Sequence, residues 1–451
     1  MYCAIDFGTS NSGIAVPTPR APGGAVQLLE LEPGRPTMPT AVFYAVEGLA
    51  RYEEPRRSYG SAAIAAYVEG TEGRLMRSMK SILGSTLVER RTDLGGGHSV
   101  AYLDVVAGYL RHLKQQAEAR VGGTIERVVL GRPVFFVDDD PVRDAKAQAA
   151  LESAARAVGF VDVRFQYEPI AAALDYEQRA TAEQIVLVAD IGGGTSDFSL
   201  VRVGPERRAR VERRDDILAN HGVHAAGTDF DRHIELACIM PTCGYKSLGP
   251  SERARQLRSA RAPERAASRL PDELEPRARE VPSAVYFDLA TWHLINTVYL
   301  PQRLAELAGM RGFYGDAQLH DRLMTVVEQR LGHALAAHAE QAKIDVADSG
   351  QARLALDAIE AGLAATVTHE QAMGAIAVDL ERVVAAARET LRHAGLASDA
   401  VDVLYLTGGS TGLSPLARHL AAVCPSALVV RGDRFASVAQ GLGLHAQRCF
   451  A

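Results

Sequence analysis

Asp190-Ile191-Gly192-Gly193-Gly194-Thr195-Ser196-Asp197 follows the apolar run 185–189 and leads into a second apolar run that ends at Val203. Aliphatic and β-branched residues on both sides of a glycine cluster predict two antiparallel strands joined by a tight turn. Without a Cβ, the glycines let backbone amides close around an anion, and the Thr195 hydroxyl adds a donor. An acid just before such a turn, Asp190, suits a hydrated cation.

The same order of residues opens the chain, as Asp6-Phe7-Gly8-Thr9-Ser10-Asn11-Ser12-Gly13. Glycine, serine and aspartate are common turn residues, so either word alone fits an ordinary hairpin. Together, in matching order, they predict a duplicated architecture whose two turns grip one polyphosphate. No GxxxxGK[ST] word occurs, which excludes the Walker-type phosphate loop as the cradle.

Between the hairpins, an apolar run at 128–130 reads as a strand. A helix then has Asp140 as N-cap, Pro141 in its first turn, an alanine-rich body and Gly159 as its stop. Strand alternating with helix predicts an α/β fold. After the second hairpin a helix starts at Gly227, and the stretch 247–282, rich in Arg, Glu and Pro and without an aromatic residue, reads as a charged peripheral insertion with a solvated face. Leu323, Val326, Val327, Leu331, Leu335 and Ala339 repeat at helical spacing, which predicts one helix over 321–347. A last strand at 403–406 runs into Thr407-Gly408-Gly409-Ser410-Thr411, and Pro415 opens another helix. Gly441-Leu442-Gly443-Leu444-His445-Ala446 fits GxGxxA but has no βαβ unit downstream, so its glycines are expected to serve helix packing.

The 451 residues, 47% hydrophobic and 23% charged, suffice for a large core and two packed lobes. A net charge of −6 leaves no broad basic surface and argues against nucleic acid as a principal partner. No run approaches the ~18 apolar residues a spanning helix needs, and the N-terminus has no basic leader, so no membrane role and a cytoplasmic location are expected. The five cysteines, Cys3, Cys238, Cys243, Cys424 and Cys449, are scattered without CxxC spacing and read as reduced thiols.

These words resemble the actin, hexokinase and heat-shock protein 70 superfamily, and most closely heat-shock protein 70. The 6–13 and 190–197 words are similar to that family's two phosphate motifs. Tyr167-Glu168-Pro169-Ile170-Ala171-Ala172-Ala173-Leu174 resembles its connecting motif, and His224 with Gly227-Thr228-Asp229-Phe230-Asp231 resembles the segment after its second hairpin, so His221 and His224 need not be a metal pair. Leu406-Thr407-Gly408-Gly409-Ser410-Thr411 resembles its adenosine motif, with Gly412 where the family usually has arginine and Phe435 where it usually has aspartate.

The resemblance implies an actin-like ATPase fold of two duplicated, ribonuclease H-like lobes, 1–184 and 185–451, around a nucleotide cleft, with ATP and Mg²⁺ as ligands. It implies that Asp6 and Asp190 hold the metal and that Gly8, Thr9, Ser10, Asn11, Gly192, Gly193, Gly194 and Thr195 hold phosphates. Lys80, Glu168 and Asp190 are the implied catalytic residues, with Lys80 and Glu168 orienting water. Glu340 and Lys343, three residues apart on one helical face, and Gly408, Gly409 and Ser410 are the implied adenosine contacts. A short YegD-type branch, which ends after the nucleotide domain, matches the length, and a protein client or co-chaperone is the implied partner. Three other functions fit the same fold: a small-molecule kinase, an actin-like filament protein, and a nucleotide-binding scaffold without turnover.

Overall fold

A computed structural model describes residues 1–18, 26–50, 52–137, 140–250, 279–433 and 436–450. The chain folds into two compact units, one of Met1–Gly227 with Leu380–Ala451 and the other of Thr228–Asp379.

Among the sheets of the first unit, two share one five-strand path, and the first of them carries a sixth strand, Thr37–Pro39, beside its second. In one, β1 (Tyr2–Phe7), β2 (Asn11–Pro17) and β3 (Val26–Leu28) form an antiparallel meander, and β4 (Arg127–Arg132) and β5 (Asp162–Tyr167) extend it in parallel beside β1. In the other, β6 (Gln184–Ile191), β7 (Ser196–Val203) and β8 (Ile217–Val223) form the meander, and β9 (Val403–Thr407) and β10 (Leu428–Arg431) extend it in parallel beside β6. Strand order is thus 3-2-1-4-5 in the first and 8-7-6-9-10 in the second. Parallel neighbours need crossovers, and helices supply them in matching places. α1 (Tyr102–Val121) precedes β4, α2 (Pro141–Ala157) joins β4 to β5, and α3 (Glu168–Glu177) follows β5. α4 (His369–His393) precedes β9, α5 (Ser414–Ala421) joins β9 to β10, and α6 (Ser437–Phe450) follows β10.

Local signals account for the helix ends. Asp140 Oδ1 accepts the Arg143 N–H at 3.0 Å and caps α2, Pro141 takes its first position, and Gly159 stops the turn at φ +95°. α1 and α2 cover one face of the first sheet, burying Val105, Leu110, Leu113, Leu151 and Ala154 against Ile5, Val128 and Leu130. Its other face joins the second sheet in one core, where Ala4, Ala15 and Val129 meet α6 through Val438, Leu442 and Ala446, and α3 packs Ile170 to Leu174 among Val186, Val188 and Val201. The two central helices cross at Gly441, where a Cβ would lie 1.8 Å from the Ala171 carbonyl oxygen, and a Cβ at Gly443 would lie 2.4 Å from the Val26 side chain and 2.7 Å from that of Ala15. The GxGxxA glycines therefore serve helix packing.

In the second unit, the single helix expected over 321–347 is two, Ala317–Glu328 and Gly332–Ser349. Arg330 sits at φ +56° between them, and Gly332 lies so near Tyr299 that its N–H donates to the hydroxyl at 2.9 Å. The apolar spacing continues across this break, so periodicity alone cannot show it. Residues 251–278 of the charged stretch and Phe435 lie outside the described residues. The ends of that stretch are paired: Gly249 N–H donates to Arg279 O at 2.8 Å and Val281 N–H to Ser247 O at 3.0 Å. All five cysteines are free thiols. No helix among the described residues is long and apolar enough to cross a membrane.

Candidate functional site

Each meander delivers an acid to the tip of its first hairpin. Asp6 pairs in register with Gly13 near the end of β1, and Asp190 with Asp197 near the end of β6. Beyond them, Gly8 to Ser10 and Gly192 to Thr195 form the turns, all half-buried, with Asn11 exposed where β2 begins. Gly8 is required by close approach, since a Cβ there would lie 2.2 Å from Asn11 O. In the second turn Gly192 N–H donates to Thr195 O at 3.0 Å, and Thr195 Oγ1–H donates to Asp197 Oδ2 at 2.9 Å.

Glu168 opens α3 directly from the last residue of β5, with Pro169 behind it in the first turn, where proline and an acid are both favoured. Gly131 in β4 leaves it room, because a Cβ there would be 3.3 Å from Glu168 Oε1. Lys80 lies on the short helix Met79–Ile82, entered through Ser78 at φ +53°, a left-handed conformation uncommon for a side-chain-bearing residue. Lys80, 9% exposed, forms a hydrogen-bonded ion pair through its ammonium with Glu168 Oε1.

The electrostatics join these residues into one site. Burial pushes the Asp6 carboxyl up to about 8; Glu168 and Asp190 push the same way, and Lys80 opposes them. Burial likewise pushes Asp190 up to about 7, helped by Asp197 and Glu168 and opposed by Lys80. Burial alone would lower the Lys80 pKa, but Glu168 and Asp6 outweigh it and hold the ammonium above its ordinary value. Asp197 is the member that sequence reasoning missed as a site residue. It closes the second motif, and its register opposite Asp190 is the signal that places it.

The carboxyl groups of Asp6, Glu168, Asp190 and Asp197 face one ammonium, and the upward shifts at Asp6 and Asp190 reflect the mutual repulsion and burial that oppose ionising them together. A bare polyphosphate would meet that repulsion, whereas one arriving with a divalent cation would relieve it. Among the described residues no three His, Cys, Asp or Glu side chains are grouped to hold a metal ion directly. Two carboxyls whose ionisation burial and neighbouring acids oppose are a donor set that fits a hydrated divalent cation such as Mg²⁺.

The 408–410 turn stands behind Asp190. Thr407 pairs with Asp190 in register, and Gly408, at φ +84°, has no room for a Cβ, which would fall 2.4 Å from Ile191 O and 2.6 Å from Asp190 Oδ1. Gly409 is exposed and Ser410 half-buried. In the second unit, Glu340 is exposed on the helix Gly332–Ser349, and Lys343 on the same helix forms an ion pair with Asp231 at 2.7 Å. His221 packs edge-on against His393, ring centroids 5.5 Å apart.

The Hsp70 protein family model matches residues 3–240, more than half of the 451 residues and the whole span of both hairpins and the Glu168 helix start. A chaperone protein HscA homolog of Pseudomonas aeruginosa is 30% identical over 293 residues, covering 60% of this chain and 42% of that protein. A chaperone protein DnaK of Thermotoga petrophila is 32% identical over 232 residues, covering 51% of this chain and 34% of that protein. The match spans less than half the length of either relative. The duplicated sheets are the actin-like ATPase fold of that family, and the chain accordingly belongs to the heat-shock protein 70 family.

Proposed function

We propose that this chain binds ATP with Mg²⁺ and hydrolyses it, as a chaperone-related ATPase of the cytoplasm that acts with a protein client or co-chaperone. The observation that carries the reading is the Lys80–Glu168 ion pair set among Asp6 and Asp190, with a glycine turn beyond each aspartate. Asp6 and Asp190 would hold the hydrated cation, and the amides and hydroxyls of 8–11 and 192–195 the phosphates. Gly408 and Gly409 let the backbone run close to the nucleoside.

Phosphoryl transfer to water asks mainly for positioning and for compensation of charge spread over the phosphoryl oxygens. Bound Mg²⁺ supplies part of that positive charge. Lys80 supplies the rest from the protein, and Glu168, held by Lys80, orients the attacking water. An organic acceptor in place of water would make the chain a kinase.

Phosphate release from Mg-ATP by the purified chain, beside Lys80→Ala and Glu168→Gln, tests the reading. Loss of one electrostatic group from such a site costs about 10²- to 10³-fold in rate, and both variants are expected to fall by that order while still binding ATP. Equal turnover in all three proteins would remove Lys80 and Glu168 from the chemistry. Binding without turnover in the parent chain would favour the scaffold.

A further inference from the structure

Ser410 faces the second glycine turn. Its hydroxyl donates to Gly192 O at 2.7 Å, and Gly227 N–H donates to the same carbonyl at 3.2 Å. The Ser410 turn is itself braced: Thr411 Oγ1–H donates to Gly408 O at 2.7 Å, and Arg431 Nη1–H, from β10, donates to Thr411 O at 3.1 Å. Gly227 leaves space for the serine, because a Cβ there would stand 2.5 Å from Ser410 Oγ.

We propose that Ser410 is a positioning residue for the second phosphate turn, acting through the Gly192 carbonyl, and not a contact to the nucleoside. The peptide unit is planar and trans, so its C=O and the following N–H point in opposite directions. Two donors on Gly192 O therefore fix the direction of the Gly193 N–H. Glycines at 192, 193 and 194 give the turn several conformations of similar energy, and a tether on one carbonyl selects among them. The strand that carries Thr407 beside Asp190 thereby sets both the acid and the turn that follows it.

For its ligand this inference rests on the nucleotide reading, but the turn can be examined without nucleotide. Amide hydrogen exchange over 192–195 in the nucleotide-free chain is expected to quicken in Ser410→Ala; unchanged exchange would overturn the proposal. With Mg²⁺ present, loss of one hydrogen bond is expected to weaken ADP binding about fivefold, with adenosine binding unaltered. Equal weakening of ADP and adenosine would make Ser410 a nucleoside contact and overturn the proposal. Gly227→Ala drives its methyl against the hydroxyl and is expected to reproduce the phosphate-selective loss. Adding Ser410→Ala to it removes the clash, so the double variant should bind ADP no worse than Ser410→Ala alone; additive losses would contradict the tether. A parent chain that binds neither ADP nor adenosine would sink the nucleotide reading, and the exchange measurement would still decide the role of Ser410.

Discussion

Among single residues, charge buried away from water decides most of what is distinctive. Around Lys80, carboxyl groups outnumber the single ammonium and resist ionising together, which suits a site that receives a cation. Elsewhere buried charge is closely paired: Arg213, 2% exposed, binds Glu177 at 2.8 Å and also Asp216, which binds Arg207. Removing one partner of such a pair strands the other. His445, 1% exposed on α6, is held neutral, with Gln166 Nε2 3.0 Å from its Nδ1. Burial pushes its pKa down from 6.5 to about 4, and the positive charges of Arg448, Arg213 and Arg164 push the same way. The folded pKa lies below the unfolded one, so this contribution is complete above pH 6.5 and is lost as the pH falls toward 4. At 1.36 kcal/mol per pKa unit it amounts to about 3 kcal/mol. Chemical denaturation between pH 7 and 4 is expected to show that loss in the parent chain and a flatter profile in His445→Gln; parallel profiles would mean His445 does not titrate this way. The placement of Asp6 and Asp190 at the hairpin tips is legible in the sequence because each stands just before a glycine turn. The Glu177, Arg207, Arg213 and Asp216 group is not, since nothing local announces an ion pair that folding assembles.

Among the elements, the crossing of α3 and α6 matters most, because α3 begins with Glu168 and α6 presses on it at Gly441. A methyl at 441 cannot fit without separating the helices. Forcing added volume into a packed core costs about 1–3 kcal/mol, so Gly441→Ala is expected to lower the unfolding free energy by that order and to slow turnover by displacing Glu168. Denaturant titration and phosphate release check this together, and an unchanged variant would show that the crossing has slack. The hairpins, α2 and the packing role of Gly441 follow from local words and spacing. The break at 329–331 does not, because the apolar spacing runs through it, while the left-handed Arg330 and the Tyr299 hydroxyl that takes up the Gly332 N–H belong to the folded chain.

For the molecule as a whole, duplication is the organising fact. Matching words at 6–13 and 190–197 point to it, and the matched strand orders extend it to ten strands and six helices. The charged stretch is an addition to this plan. Because 247–249 and 279–281 pair with each other, a short Gly-Ser link in place of 251–278 would join ends already held together at little closure cost, and that replacement is expected to leave the melting temperature within about 2 °C. A fall of about 5 °C or more, roughly 1 kcal/mol for a domain of ordinary size, would show that the segment contributes to the core.

Calorimetric titration of ATP into the nucleotide-free chain, with Mg²⁺ and again with the metal chelated, beside Asp190→Ala, shows whether the paired acids take their nucleotide together with a cation. Acids that repel a bare polyphosphate and accept one carrying a cation predict binding that needs Mg²⁺ and is weakened at least about tenfold by Asp190→Ala, the loss of one charged partner. Binding of equal strength with and without the metal, or none to the parent chain, would contradict it.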